Sequence, residues 1–257
     1  MDDVPLRTVN IACLLFCFHT SIAPIRRYPT TLFPSTTPRS EYTYHPCKNT
    51  MPQKSRWTVP VPEVSLPTFL FGPPGAALPD TLAYADAESP ETLSLTWATY
   101  RLWSQRFAAG LAAAGLRAGD RVLVFVGNDV CFPVLHSGTL MAGGIFSTAN
   151  SHFIAREVVH QLVLTEPRFL IAGREQLPAA LEAAKTAGMA RERVLVFDNE
   201  PLRGEGGGED APQADGGVVR HWKALLASEA VGRRFVWDEL SPEEAKTRTA
   251  IVVFSSG

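Results

Sequence analysis

From Ser94 onward the chain switches between two hydrophobic periods. Tyr100, Trp103, Phe107 and Leu111 recur at helical spacing, which predicts a helix capped by Thr96 and running toward Ala114, with Gly115 ending it. The run RVLVFV, Arg121 to Val126, is almost continuously β-branched or aromatic, as expected of a strand covered on both faces. Gly127-Asn128-Asp129 then reads as a turn, with Asp129 as N-cap of a helix from Val130 to Met141. Gly143-Gly144 closes that helix, and GIFSTA supplies another short strand.

The alternation continues with a helix over Ile154–Leu164, a strand over Arg168–Gly173, an Ala-rich helix over Glu175–Ala187 and a strand over Arg193–Asp198. A Gly- and acid-rich stretch at about 199–217 predicts a flexible, solvated surface loop. His221–Ala227 suggests a short helix, and Ser241-Pro242-Glu243-Glu244 has the composition of a helix start. Ile251-Val-Val-Phe254 reads as a buried final strand. Strands alternating with helices define an α/β fold around a largely parallel sheet with right-handed crossovers.

Composition narrows the functional classes. The 257 residues are 46% hydrophobic and 19% charged, enough apolar material for a core. A formal net charge of −2 without Lys/Arg runs leaves no electrostatic footprint for nucleic acid or an anionic membrane. The apolar stretch Ile11–Phe18 is well short of the ~20 residues that span a bilayer. Cys13, Cys17 and Cys47 crowd the first fifty residues, leaving Cys131 alone in the rest. That distribution supports neither a zinc site nor a disulfide framework and suits a reducing compartment, the cytoplasm first. Residues 1–50 lack periodicity and are rich in Thr, Ser and Pro. They are expected to be disordered or foreign to the natural protein, with Met51 as initiator; a targeting, for example mitochondrial, role is the alternative.

Candidate chemistry is sparse. Gly110, Gly115 and Gly119 close a helix and precede a strand, so they are expected as helix-end and turn glycines and not as a dinucleotide fingerprint. Gly127 sits at a strand-to-helix turn, a place where sheets of this kind bind ligands, but one glycine also suits an ordinary connector. His136 could be a core histidine or face a cleft; Cys131 lacks an electropositive setting, and Ser137 and Ser147 lack a nucleophile elbow. Ser255-Ser256-Gly257 differ by position. A strand delivers two hydroxyls and a glycine to the sheet's C-terminal edge, a combination that suits phosphate oxygens as well as a plain turn.

Three stretches taken together resemble adenylate-forming enzymes (AMP-dependent synthetases and ligases), most of all fungal 4-coumarate–CoA ligase-like acyl-CoA synthetases. They are SRWTVPVPEVSLPTFLFGPPGAALPD, the segment from Leu95 to Asn150, and AREVVHQLVLTEPRFLIAG. The likeness runs from about Ser55 to Gly257 and is most specific over Gly119–Asp129 and Met141–Phe146. Ser151 stands where relatives often carry proline. The resemblance implies that residues 51–257 are the N-terminal part of the family's large domain. It also implies that Ser255, Ser256 and Gly257 open an ATP phosphate loop of the form S-S-G-T-T-G-x-P-K-G. An intact relative would use ATP, Mg2+ and CoA on a small carboxylate of aryl, cinnamyl-type or fatty-acid class, in the cytoplasm or a peroxisome. The acyl pocket, adenylate motifs and mobile C-terminal domain with its catalytic lysine would belong to the C-terminal remainder of the same enzyme. This chain by itself is then expected to be inactive, with no catalytic or metal-binding residue of its own. A non-catalytic truncated product serving as an interaction module is the alternative.

Overall fold

The computed structural model describes residues 59–204 and 207–254. Its first element is a short helix, α1 (Leu66–Phe71), capped by the Ser65 hydroxyl. Strands β1 (Leu82–Ala85) and β2 (Ser94–Thr96) form a small antiparallel ribbon. Helix α2 (Trp97–Ala113) starts at Thr96, as the periodicity predicts, with Thr96 and Thr99 capping each other's backbone N–H. Gly115 and Gly119 take the left-handed turn conformation expected of them. Gly110 lies within α2 and ends nothing; an added Cβ there would sit 1.8 Å from the Leu225 carbonyl oxygen, so only glycine lets the 222–225 turn approach.

The central strands follow in the predicted places: β3 (Arg121–Phe125), β4 (Ile145–Thr148), β5 (Phe169–Gly173) and β6 (Val194–Phe197). Between them lie α3 (Phe132–Met141), α4 (Ala155–Thr165) and α5 (Leu177–Thr186). Helix α3 begins two residues later than expected, and Asp129 is not its formal N-cap. The Asp129 carboxylate accepts the Cys131 N–H at 2.8 Å and closes a separate turn before the helix proper.

The stretch at 199–217 is more structured than its composition predicts. A one-turn helix, α6 (Glu200–Arg203), and strand β7 (Ala211–Pro212) lie in its described part, and β7 pairs antiparallel with β8 (Val218–Val219) just beyond it. Gly208, at φ 85°, lies against the His221 ring, where a Cβ would meet Cε1 at 2.2 Å. The loop is held because it covers a buried side chain. A 3-10 turn (Trp222–Leu225), α7 (Glu229–Arg234) and α8 (Pro242–Thr247) complete the helices, the last capped by Ser241 and Glu244 reciprocally.

Strand β9 (Ile251–Val252) joins the sheet beside β4. The strand order is β6-β5-β3-β4-β9, with every pairing parallel. β9 is thus an edge strand and not the buried strand expected; Ile251 and Val252 are half-buried and Val253 is 69% exposed. One sheet face packs Val122 and Val124 against Tyr100, Phe107 and Leu135 of α2 and α3. The other packs Leu123 and Phe125 against Val158, Leu162 and Ala180 of α4 and α5. Coverage on both faces explains why these strands read as unbroken apolar runs.

Candidate functional site

Helix α3 leaves β3 toward one sheet face, and α5 leaves the adjacent β5 toward the other. Neighbouring parallel strands whose exits part in this way open a crevice at their C-terminal ends. The crevice is present: a cleft of about 350 Å3 bounded by residues 126–129 after β3, 173–176 after β5 and 197–199 after β6. Gly127, read from the sequence as either connector or ligand turn, forms part of its rim, and an added Cβ there would meet nothing within 4 Å.

The walls are joined by polar bonds. Asn199 donates its amide to Asp129 Oδ2 at 3.0 Å, tying the β3 loop to the β6 loop. Burial raises the Asp129 carboxyl, opposed by hydrogen bonds from Cys131 and Asn199. Asp198 is the larger node. Its Oδ2 accepts Arg174 Nε at 2.7 Å, and its Oδ1 accepts the Glu200 N–H at 3.1 Å. His221 Nε2 lies 3.0 Å from the same Oδ1. Because His221 Nδ1 accepts the Lys223 N–H at 3.2 Å, the ring proton resides on Nε2 and is donated to Asp198. Burial lowers the His221 pKa, with Asp198 pulling the other way. Arg174 further donates to the Glu209 carbonyl at 2.9 Å, and Trp222 Nε1 to the Asp198 carbonyl at 2.8 Å.

This arrangement ties the three loops of the cleft together; it does not present a nucleophile with its base. The Cys131 thiol is buried and pushed well up by that burial and by Asp129, so it stays protonated. The His221 ring is fully enclosed and spends both nitrogens on the protein. His136 is half-buried with its ring edge-on to Phe146 at 5.0 Å, and burial lowers its pKa to about 4. That is the core-histidine alternative of the two the sequence left open. His152 and His160 are exposed. Among the described residues no three His, Cys, Asp or Glu side chains gather as a metal site.

Ser255, Ser256 and Gly257 lie outside the described residues. Because all five strands are parallel, β9 nevertheless runs toward the same sheet edge as the cleft, with β4 between it and β3, the nearest strand of the cleft. The His221–Asp198–Arg174 linkage was missed by sequence reading, since the three residues come from separate segments and carry no local motif.

Comparison with known proteins places this architecture. The AMP-binding enzyme family profile matches residues 75–257. Acyl-CoA ligase azaF of Aspergillus niger is 32% identical over 175 residues, covering 68% of this chain and 30% of its own length. Phenylacetyl-CoA ligase epaB, also from Aspergillus niger, is 34% identical with the same coverages. The rice 4-coumarate–CoA ligase-like 9 is 30% identical over 172 residues. Among solved structures, the luciferase-like enzyme of the mealworm Zophobas morio superposes with a TM-score of 0.57 at 20% identity, over 75% of this chain and 40% of its own. MbtA of Mycobacterium smegmatis does so with a TM-score of 0.55 at 23% identity, over 75% of this chain and 31% of its own. The fold is therefore that of the adenylate-forming enzymes. The chain belongs to the AMP-binding enzyme family, as a mixed α/β protein related to fungal acyl-CoA ligases. It spans about a third of the length of the curated relatives it matches.

Proposed function

We propose that this chain supplies the N-terminal portion of an ATP-dependent carboxylate–CoA ligase. The observation that carries this reading is the family match through Gly257, together with acyl- and aryl-CoA ligases as relatives at 32% and 34% identity. In the reaction, a carboxylate oxygen attacks the α-phosphorus of ATP and pyrophosphate leaves. The thiol of CoA then attacks the acyl carbonyl of the adenylate and AMP leaves.

Within that chemistry, this chain's part is to hold phosphate. β9 runs toward the C-terminal sheet edge and Ser255, Ser256 and Gly257 follow it in sequence; in this reading their hydroxyls and backbone N–H groups donate to phosphate oxygens as charge moves onto them. Mg2+ would reach the site on the phosphates of ATP and lower the cost of that charge. The thiol substrate, CoA, and a small aryl or acyl carboxylate complete the reading.

Carboxylate-dependent ATP–pyrophosphate exchange tests it. In a fusion, this chain replaces the corresponding segment of phenylacetyl-CoA ligase; exchange above a no-protein control supports the reading. A folded fusion without exchange for any aryl or acyl acid counts against it. The chain by itself is expected to show none.

A further inference from the structure

Residues 208–221 lie beside β6, an edge strand of the sheet, and form a strap. Most of the segment is exposed, and its apolar anchors in the core are Ala211 and Val219. Surface ties add Arg191 to Asp215 at 2.8 Å and Arg220 to the Glu192 carbonyl at 3.2 Å. Exposed contacts of this kind contribute little. The inner tie is His221, whose ring is wholly enclosed.

Bonds to both nitrogens hold that ring in its neutral Nε2–H form. Nε2 donates to Asp198 Oδ1 at 3.0 Å, and Nδ1 accepts the Lys223 N–H at 3.2 Å, which caps the 222–225 turn. A second proton has only Nδ1 to bind. It would convert that acceptor into a donor facing another donor. Rotation of the ring gives no relief, because Gly208 lies tightly over it; an added Cβ would meet Cε1, Nδ1 and Nε2 at 2.2, 2.6 and 2.8 Å. The strap itself has to move. Surrounding charges do not remove the conflict. Asp198, after β6, favours the imidazolium, while Arg174, after β5, and Lys223, in the turn, oppose it. Asp210, in the strap, accepts the His221 backbone N–H at 2.7 Å, and Glu209 beside it is exposed.

We propose that residues 208–221 are a proton-released strap, which uptake of a proton by His221 lifts from β6 and from the rim of the cleft. Lifting separates the Val196 N–H from the Arg220 carbonyl, now 3.0 Å apart, and Arg174 from the Glu209 carbonyl, now 2.9 Å apart. Trp222 serves as the hinge. Its Nε1 stays on the Asp198 carbonyl at 2.8 Å and its ring against Phe107 and Phe197. Linkage sets the direction. Burial holds the enclosed imidazole below its ordinary 6.5, so the open form binds the proton more tightly and gains population as pH falls through about 6.5. Nothing in this device depends on the ligase reading.

The test is amide hydrogen–deuterium exchange of the full chain between pH 7.5 and 5, expressed as protection factors so that the intrinsic effect of pH cancels. The reporters are the N–H groups of Val196, His221 and Lys223. Their protection is expected to fall about fivefold or more from pH 6.5 to 5, while amides of β3 and β5 fall less. His221→Gln keeps an amide N–H for Asp198 and takes up no proton, so its reporters are expected to be flat across the same range. Reporters that do not respond to pH in wild type, that fall in step with β3 and β5, or that fall equally in His221→Gln overturn the proposal. Should the variant fail to fold, the wild-type comparison is joined by nitrogen-15 spectra of the His221 ring. These are expected to show the Nε2–H tautomer at pH 7.5; an Nδ1–H tautomer there overturns the proposal.

Discussion

His221 and Asp198 meet behind the cleft wall, Nε2 to Oδ1 at 3.0 Å, with the ring fully enclosed and the carboxylate's second oxygen held by Arg174 at 2.7 Å. Their segments are joined to the sheet as well: the Val196 N–H donates to the Arg220 carbonyl at 3.0 Å, and the His221 N–H to Asp210 at 2.7 Å. Asp198→Ala would strand a buried imidazole N–H and release Arg174. It is expected to cost on the order of 2–4 kcal/mol in urea unfolding, because an unpaired buried donor keeps its full desolvation penalty. Asp198→Asn keeps an acceptor for Nε2 and is expected to cost about half as much. Equal unfolding midpoints for Asp198→Ala and wild type would show that the node carries no stability.

Two glycines test the backbone approach that shapes the fold. Gly110→Ala places its Cβ 1.8 Å from a backbone oxygen, which cannot yield as a side-chain tip would. Roughly 3 kcal/mol or more of destabilisation is expected, the range of severe overpacking. Gly127→Ala finds nothing within 4 Å and is expected within about 0.5 kcal/mol of wild type. Thermal melts of the pair check the contrast; similar losses at both positions would refute it.

Much of this fold was legible in the sequence because its signals are local. Thr96 marks the start of α2, and near-continuous apolar runs mark β3, β5 and β6. Short elements stabilised from a distance were not legible. Helix α1 is capped by Ser65, whose hydroxyl and N–H both bond to Glu239, 174 residues away, and α7 is a six-residue turn with no buried apolar stripe. The β1–β2 ribbon likewise rests on the Tyr84–Tyr100 contact. The 199–217 stretch misled by composition, since glycine there serves close approach to His221 as well as flexibility. β9 misled because four apolar residues in a row fit an edge strand as well as a buried one. Of the cleft, only the Gly127 turn was visible; its pairing with 173–176 and 197–199 follows from strand order, which no single segment encodes.

Stability should fall on acidification. His136 titrates at about 4 in the fold against an ordinary value of 6.5, because burial disfavours its charged form. Between those values the unfolded chain binds the extra proton, so stability is complete above about 6.5 and declines as pH drops toward 4. Burial lowers the His221 pKa too, which adds in the same direction. A loss of about 2 kcal/mol is assigned to His136 once its partial exposure is allowed for. The pH dependence of urea midpoints should flatten in His136→Asn; an unchanged slope would remove His136 from the account.

Exposed apolar surface should make residues 51–257 prone to association. Val253, Val236 and Phe69 are 69%, 64% and 49% exposed, and β9 has no second neighbour among the described residues. Binding of a hydrophobic dye and concentration-dependent light scattering are expected. A monodisperse monomer with a cooperative melt and no dye binding would contradict this.

The central claim is tested most directly by product formation in the phenylacetyl-CoA ligase fusion, supplied with ATP, Mg2+, CoA and a panel of aryl and acyl acids. The account predicts acyl-CoA and AMP in equal amounts with at least one acid, and loss of both when Ser255 and Ser256 are changed together to alanine. A folded fusion that forms neither product, or one indifferent to the double substitution, would contradict it.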